Sequence, residues 1–178
     1  EALDSGIFVV AAAGNRDSSE NISDVSVPAN IEGVIAVGTM TRSAGTWSQS
    51  ATGSIVDPYT QENRTYPNQK PEVIAPGVLL LSTSGSTIEP PYSYSTGTSD
   101  STVLVTGALA LILQLYGDEL RGEDGQIGPD EMDLVKRTLA SSCDKSLIEG
   151  APHDKKGGYG SLDAVQWAAD IAFELNVD

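Results

Sequence analysis

Apolar residues along this chain fall into short uninterrupted runs, separated by polar segments rich in glycine. The clearest runs are Ile7–Ala12, Val34–Gly38 and Val73–Ala75, each bounded by small or polar residues. Continuous runs of this length are typical of strands buried on both faces of a parallel sheet. Leu79–Thr83 predicts another strand, and Thr46–Ser50 a shorter one.

Longer apolar segments predict the helices. Val103–Tyr116 is apolar on nearly every side, which predicts a helix buried from all directions. This run of 14 residues is too short to span a bilayer. Gly107 lies in its middle, and we expect a neighbouring backbone to approach closely there. Pro129 is well placed as the first residue of a helix with one apolar stripe, and Leu162–Leu175 predicts a final amphipathic helix. Strands and helices together indicate an α/β fold.

Composition limits the partners of the chain. Its 178 residues are 39% hydrophobic, enough for one domain with a sizeable core, and we see no second domain within 1–178. The net charge of −15 argues against a nucleic-acid partner, since phosphates need a basic surface. No signal peptide or membrane span is visible, so we expect no membrane partner. The single cysteine, Cys143, excludes an internal disulfide and a multi-cysteine metal site.

Candidate chemistry begins with the hydroxyl-rich segment Thr96–Thr102, directly before the long apolar run. Ser99 is expected in the first turn of the helix, where free backbone N–H groups and the helix dipole favour developing negative charge. A hydroxyl held there is a candidate nucleophile. The alternative is that Thr98 or Ser99 only caps the helix.

Asn15 is the second candidate, because it follows the first predicted strand at its carboxyl end. In open α/β sheets the functional crevice lies outside the carboxyl ends of the strands. The alternative for Gly14-Asn15 is an ordinary turn.

Five segments, in order along the chain, resemble motifs of the subtilisin-like serine proteases. They are Gly6–Asn15, Val27–Ala29 leading into Val34–Gly38, Lys70–Gly77, Gly97–Ser99 followed by Gly107–Leu111, and Gly158–Ala164. One departure is clear: the family usually has Met-Ala-Ser-Pro-His after its serine, whereas this chain has Asp100–Leu104.

The resemblance implies a parallel-sheet, subtilisin-like fold with flanking helices, of which residues 1–178 form the C-terminal portion. It implies a serine endopeptidase in which Ser99 attacks a peptide bond of a peptide or protein substrate. The Asn15 side-chain amide and the Ser99 backbone N–H would hold the oxyanion. Ala12, Ala13 and Gly14 would form one wall of the pocket for the residue before the cut, and Ser26 its floor. The family's spacing also predicts a cis peptide at Val27-Pro28 and places Arg16 on the pocket rim.

The chain lacks the base that a serine nucleophile needs. Its only histidine, His153, lies in a polar loop beyond Ser99, whereas the subtilisin triad order of Asp, His, Ser places both partners upstream. We therefore expect His153 to be a surface residue and this chain to be inactive alone. The N-terminal half of the same catalytic domain is the expected partner, and without it the chain is expected to self-associate. The resemblance also suggests a secreted or cell-surface protein.

Other interpretations remain open. A subtilase that has lost catalysis would leave a non-catalytic binding or scaffold module. The altered residues 100–104 keep this alternative open, whereas the retained Ser99 and Asn15 favour the enzyme. An esterase-type α/β-hydrolase is disfavoured because its Gly-x-Ser-x-Gly motif is absent. No cofactor is expected. Calcium is conceivable at Asp17, Glu20 and Asp24, but their spacing matches no defined calcium loop and a solvated loop is favoured.

Overall fold

A three-stranded parallel sheet forms the centre of the computed structural model, which describes residues 1–16, 24–85, 89–122, 125–149 and 151–177. The strands are β1 (Val10–Ala12), β2 (Ile35–Met40) and β3 (Val73–Pro76), in the order β1-β2-β3. The three strongest strand predictions are confirmed, although β1 is shorter than its apolar run.

Two further segments that were predicted as strands do not join the parallel sheet. Strand β4 (Leu80–Thr83) pairs antiparallel with β5 (Tyr92–Ser95) as a separate two-stranded sheet. The prediction of a strand at Thr46–Ser50 is wrong. This segment makes only isolated bridges, from Thr46 to Met40 and from Ser50 to Asn15, because it turns back on itself through a Ser50 N–H to Trp47 carbonyl hydrogen bond.

In the described part of the chain, three α-helices accompany the sheet: α1 (Thr98–Leu120), α2 (Pro129–Ser142) and α3 (Ala164–Leu175). Helix α1 lies across all three parallel strands, while α2 and α3 pack on each other. Pro129 begins α2 as predicted, and Asp163 caps α3 by accepting hydrogen bonds from the N–H groups of Val165 and Gln166. Together with the parallel sheet, these helices confirm the predicted fold class.

The prediction that the long helix is buried on all sides is wrong for this chain. Helix α1 has 23 residues, and its sheet-facing side chains Val105, Leu109 and Ile112 are buried. The opposite side leaves apolar side chains in solvent, with Val103 68% and Leu111 62% exposed. By length and composition alone, α1 is also long and apolar enough to cross a membrane. Core helices of soluble proteins share this property.

Gly107 does not support its predicted role either. A Cβ placed on Gly107 would meet no atom within 4 Å among the described residues, and the residue is exposed. No backbone among the described residues comes within that distance of the added Cβ. The side of α1 that contains Gly107 therefore lies open.

The sheet separates two cores. On the α1 side, large side chains such as Ile35, Val37 and Val73 pack with the helices. On the other side the side chains are mostly alanine and valine, among them Ala11, Ala13 and Ala36. Because side chains alternate along β2, both faces of the sheet are buried, as its continuous apolar sequence predicted.

A charged cluster is buried near the amino end of β3. Glu72 Oε1 accepts hydrogen bonds from Lys70 Nζ at 2.7 Å and from Lys136 Nζ at 2.8 Å, and its Oε2 accepts from the Ala36 N–H at 2.7 Å. All three charged side chains are buried. Burial, partly offset by Glu72, lowers the pKa of Lys70 to about 8. The cluster ties α2 to β3.

Candidate active site

Ser99 is held at the carboxyl end of the parallel sheet by the first turn of α1. The Gly97 N–H donates to the Gly77 carbonyl, just beyond the end of β3, at 2.9 Å. Two residues after Ser99, the buried hydroxyl of Ser101 donates to the Ala75 carbonyl at 2.8 Å and lies 2.8 Å from the Thr39 hydroxyl. These contacts fix the start of α1 to both β3 and β2.

Neither hydroxyl residue caps the helix, so the capping alternative is wrong. The N-cap of α1 is Gly97, which makes no side-chain capping bond. Ser99 is the second residue of α1, and its side chain is exposed. Its N–H is one of the first four of a helix, which have no acceptor within the helix. Ser99 therefore presents a hydroxyl and a backbone donor at the positive end of the helix dipole.

The Asn15 side chain is oriented by Thr98, not used in a turn. Its Oδ1 accepts two hydrogen bonds, from the Thr98 N–H and from the Thr98 hydroxyl, both at 2.9 Å. The Thr98 hydroxyl in turn accepts from the Gly14 N–H at 3.2 Å. With Oδ1 occupied by two donors, the Nδ2 group is left as a donor beside the start of α1. A Cβ on Gly97 would lie only 3.0 Å from that nitrogen, so glycine leaves room for it.

The expected pocket residues lie together next to Asn15. The Ser26 N–H donates to the Ala13 carbonyl at 2.8 Å, and a Cβ on Gly14 would lie 2.3 Å from Ser26 Oγ. Ala12 ends β1 and is partly exposed, whereas the Ala13 side chain is fully buried and leaves only its backbone for a ligand. The Val27-Pro28 peptide is cis, as predicted.

Arg16 lies beside Ser26, the expected floor of the pocket. Its Nη2 donates to the Asp24 carbonyl at 2.8 Å and lies 3.5 Å from Ser26 Oγ. The segment that contains Ser26 is itself held by a buried ion pair, in which both oxygens of the Asp24 carboxylate accept from Arg64, at 2.9 and 2.8 Å. Asp57 lies on the other side of that guanidinium, 3.7 Å from Nε.

The ion pair between Asp24 and Arg64 involves one of the expected calcium ligands. Asp24 also accepts from the N–H groups of Val25 and Ser54, so its carboxylate is committed within the protein. Asp17 and Glu20 lie outside the described residues. Among the residues that are described, no group of three or more His, Cys, Asp or Glu side chains is arranged to hold a metal ion.

His153 lies far from Ser99 and is less exposed than predicted. Its Nε2 is 2.9 Å from the Pro71 carbonyl, and its ring packs edge-on against Tyr159 at a centroid distance of 4.8 Å. Burial lowers its pKa. Pro71 precedes β3, whereas Gly77, which Gly97 contacts, follows it, so His153 and the start of α1 lie at opposite ends of this strand. His153 is a half-buried structural residue and does not serve Ser99 as a base.

Sequence reasoning missed the residues that orient the site. Thr98 and Ser101 hold Asn15 and α1, yet in the sequence they are two hydroxyl residues within a cluster of five. The signal that marks them is a hydroxyl at a position otherwise expected to be apolar, in the first turn of a core helix. Their partners lie 83 and 26 positions away, so only the fold identifies them.

Sequence comparisons with known proteins agree on one family. The sequence model of the Subtilase family (peptidase S8) matches residues 1–160. Subtilisin E of Bacillus subtilis (strain 168) is 41% identical over 117 residues, 65% of this chain and 26% of that protein. The major intracellular serine protease of the same strain is 32% identical over 149 residues, 82% of this chain and 40% of that protein. The chain thus spans between about a quarter and two fifths of these relatives.

Two solved structures share the fold. The prenylagaramide maturation protease PagA superposes with a TM-score of 0.63 at 24% identity, covering 93% of this chain and 50% of PagA. Fervidolysin from Fervidobacterium pennivorans, a keratinolytic enzyme related to subtilisin, superposes with a TM-score of 0.58 at 23% identity, covering 92% of this chain and 22% of that structure.

Proposed function

The chain belongs to the Subtilase family of serine proteases, and on that premise we propose that it is the C-terminal half of one catalytic domain and supplies its nucleophile and oxyanion hole. The base and its orienting acid come from the N-terminal half. We call the two halves together the complete peptidase domain. It hydrolyses peptide bonds in peptides or proteins, and the present chain alone does not.

The reaction assigned to this site follows from its donors. Ser99 Oγ attacks the carbonyl carbon while a base of the N-terminal half takes the hydroxyl proton. The former carbonyl oxygen gains a negative charge, which the Asn15 Nδ2 group and the Ser99 N–H stabilise. The C–N bond then breaks, the amine leaves with the proton, and water releases the acyl group from Ser99. The substrate residue before the cut lies against Ala12–Gly14 and Ser26.

The orientation of Asn15 is the observation that carries this proposal. An asparagine that only forms a turn does not need one particular orientation of its side-chain amide. Here both hydrogen bonds from Thr98 go to Oδ1, which fixes that orientation. The amide is therefore preorganised to donate at the place where Ser99 would generate an oxyanion. A preorganised donor costs no reorganisation during the reaction, which is why such groups are effective.

An open apolar surface favours the N-terminal half as the partner. Among the described residues, strand β1 is an edge strand that pairs on one side only, with β2. Beside it, a groove of about 530 Å³ is lined by β1-side residues such as Phe8 and Val10 and by Leu113 of α1. The exposed apolar side of α1 adjoins this groove. An unpaired edge next to exposed apolar side chains favours association, so without its partner the chain self-associates.

The second candidate is a non-catalytic binding module, favoured by Asp100–Leu104, where the usual family residues are replaced. We also propose secretion or display on the cell surface, with no cofactor, no nucleic-acid partner and no membrane insertion. Fractionation of the source cells tests the location, because a cytosolic product would contradict it.

Turnover by the complete peptidase domain separates these candidates. We expect hydrolysis of a chromogenic peptide, loss of turnover with a serine-reactive phosphonate, and a matching mass increase on the peptide that contains Ser99. Ser99→Ala should abolish both the turnover and the label, and the 178-residue chain alone should show neither turnover nor rapid labelling. A folded complete domain that neither turns over nor labels would favour the binding module.

A further inference from the structure

Asp100 places a carboxylate directly beside the candidate nucleophile. It follows Ser99 in the first turn of α1, is partly buried, and its Oδ2 accepts a hydrogen bond from Ser95 Oγ at 2.9 Å. Among the residues that the structure describes, no lysine or arginine forms an ion pair with it. Within the described part of the chain, a negative charge at this position is therefore not neutralised by an ion pair.

Helix geometry decides which side of Ser99 this carboxylate occupies. Successive residues of an α-helix are about 100° apart, so Thr98 and Asp100 are about 200° apart and flank Ser99 on opposite sides. The Thr98 side contacts Asn15 and, through Gly14, the expected pocket for the residue before the cut. The Asp100 side contacts β5 through Ser95. The two halves of a bound peptide must leave Ser99 in opposite directions.

We propose that Asp100 is a specificity-determining residue that selects a cationic side chain in the residue immediately after the scissile bond. This inference rests on the proposed peptidase function, which places the acyl half of the substrate on the Asn15 side. The leaving-group half then passes over the surface that Asp100 and Ser95 form together. Ser95 fixes one carboxylate oxygen, and the other is available to a substrate side chain because Asp100 is only partly buried. Lysine or arginine is favoured at this position, glutamine is intermediate, and glutamate is repelled.

The magnitude follows from the partial exposure of Asp100. An ion pair at a partly exposed site contributes roughly 0–1 kcal/mol, which corresponds to a factor of up to about five. Attraction of lysine and repulsion of glutamate act in opposite directions, so the lysine-to-glutamate ratio of kcat/KM should reach about tenfold at low salt. The ratio should fall as salt screens the exposed charges.

The test uses the complete peptidase domain and three quenched peptides that differ only in the residue after the cut: Lys, Gln or Glu. We expect kcat/KM in the order Lys, Gln, Glu, with the Lys/Glu ratio falling to within about twofold in Asp100→Asn. Asp118→Asn is the matched control, since Asp118 is 99% exposed at the other end of the same helix and should leave the ratio unchanged. A salt titration of the unmodified domain tests separately whether the preference is electrostatic.

Two results would overturn the inference. One is a wild-type Lys/Glu ratio near one that salt does not change, and the other is a ratio that survives Asp100→Asn. In both cases the domain still hydrolyses the peptides, so the proposed function stands. Absence of any Ser99-dependent turnover is the different outcome, and it would overturn the proposed function together with this inference.

Discussion

Removing the Thr98 hydroxyl should impair the oxyanion donor without touching the nucleophile. Thr98→Val keeps the shape of the side chain and removes one of the two hydrogen bonds to Asn15 Oδ1, and it also removes the acceptor of the Gly14 N–H. The bond from the Thr98 backbone N–H remains. The Asn15 amide therefore stays near its place but is held less firmly.

The expected size follows from ordinary hydrogen-bond energies. One neutral hydrogen bond contributes about 0.5–1.5 kcal/mol net, and about 1.36 kcal/mol corresponds to tenfold in rate. Thr98→Val should therefore lower kcat by about two- to tenfold with little change in KM. Asn15→Ala removes the donor itself and should cost about 10²- to 10³-fold, a figure that comes from the equivalent loss in subtilisin.

A double-mutant cycle on the complete peptidase domain tests whether Thr98 acts through Asn15. If Thr98 acts through Asn15, the double variant should lose no more kcat than Asn15→Ala alone. Thr102→Val is the control, because the Thr102 hydroxyl on the same helix donates to the Thr98 carbonyl and to no other group among the described residues. Losses that multiply in the double variant would show that Thr98 acts independently of Asn15.

Two further predictions concern stability and the buried thiol. Glu72→Gln should lower the free energy of unfolding by about 3–5 kcal/mol at pH 7, because it leaves Lys70 and Lys136 buried without their counter-charge; a loss below about 1 kcal/mol in urea unfolding would contradict this. Burial raises the pKa of the Cys143 thiol to about 12, above its ordinary value of 9.0, so the folded protein resists ionisation of this thiol. Because the unfolded thiol loses its proton first, this contribution to stability is present below pH 9 and is lost as pH rises towards 12. Cys143→Ala should lack this pH-dependent contribution to stability. Rapid reaction of native Cys143 with a thiol reagent would contradict the burial of this side chain.

The sequence predicted the sheet because β2 and β3 are buried on both faces, and a continuous apolar run is the direct consequence of such burial. The partner of β4 was not predicted. Strand β5 reads Tyr-Ser-Tyr-Ser and is exposed throughout, so no buried pattern marks it. The two central features of the site, Ser99 and Asn15, were predicted from their motifs and from their positions at element ends.

Two of the errors concern the side of α1 that no described residue covers. The all-round apolar pattern of α1 predicts burial on every side, but only its sheet-facing side is covered here. Gly107 lies on the open side for the same reason. The role of Thr98 was missed for another reason, since it exists only where the fold brings Asn15 to the start of α1.

Mixing the two halves of the catalytic domain tests the central claim most directly. Neither the N-terminal half nor this chain alone should hydrolyse a chromogenic peptide, and turnover should appear when they form a one-to-one complex by sedimentation. The same mixture with Ser99→Ala should form the complex and remain inactive. A one-to-one complex of the unmodified halves with no more activity than the Ser99→Ala mixture would contradict the claim that this chain supplies the nucleophile.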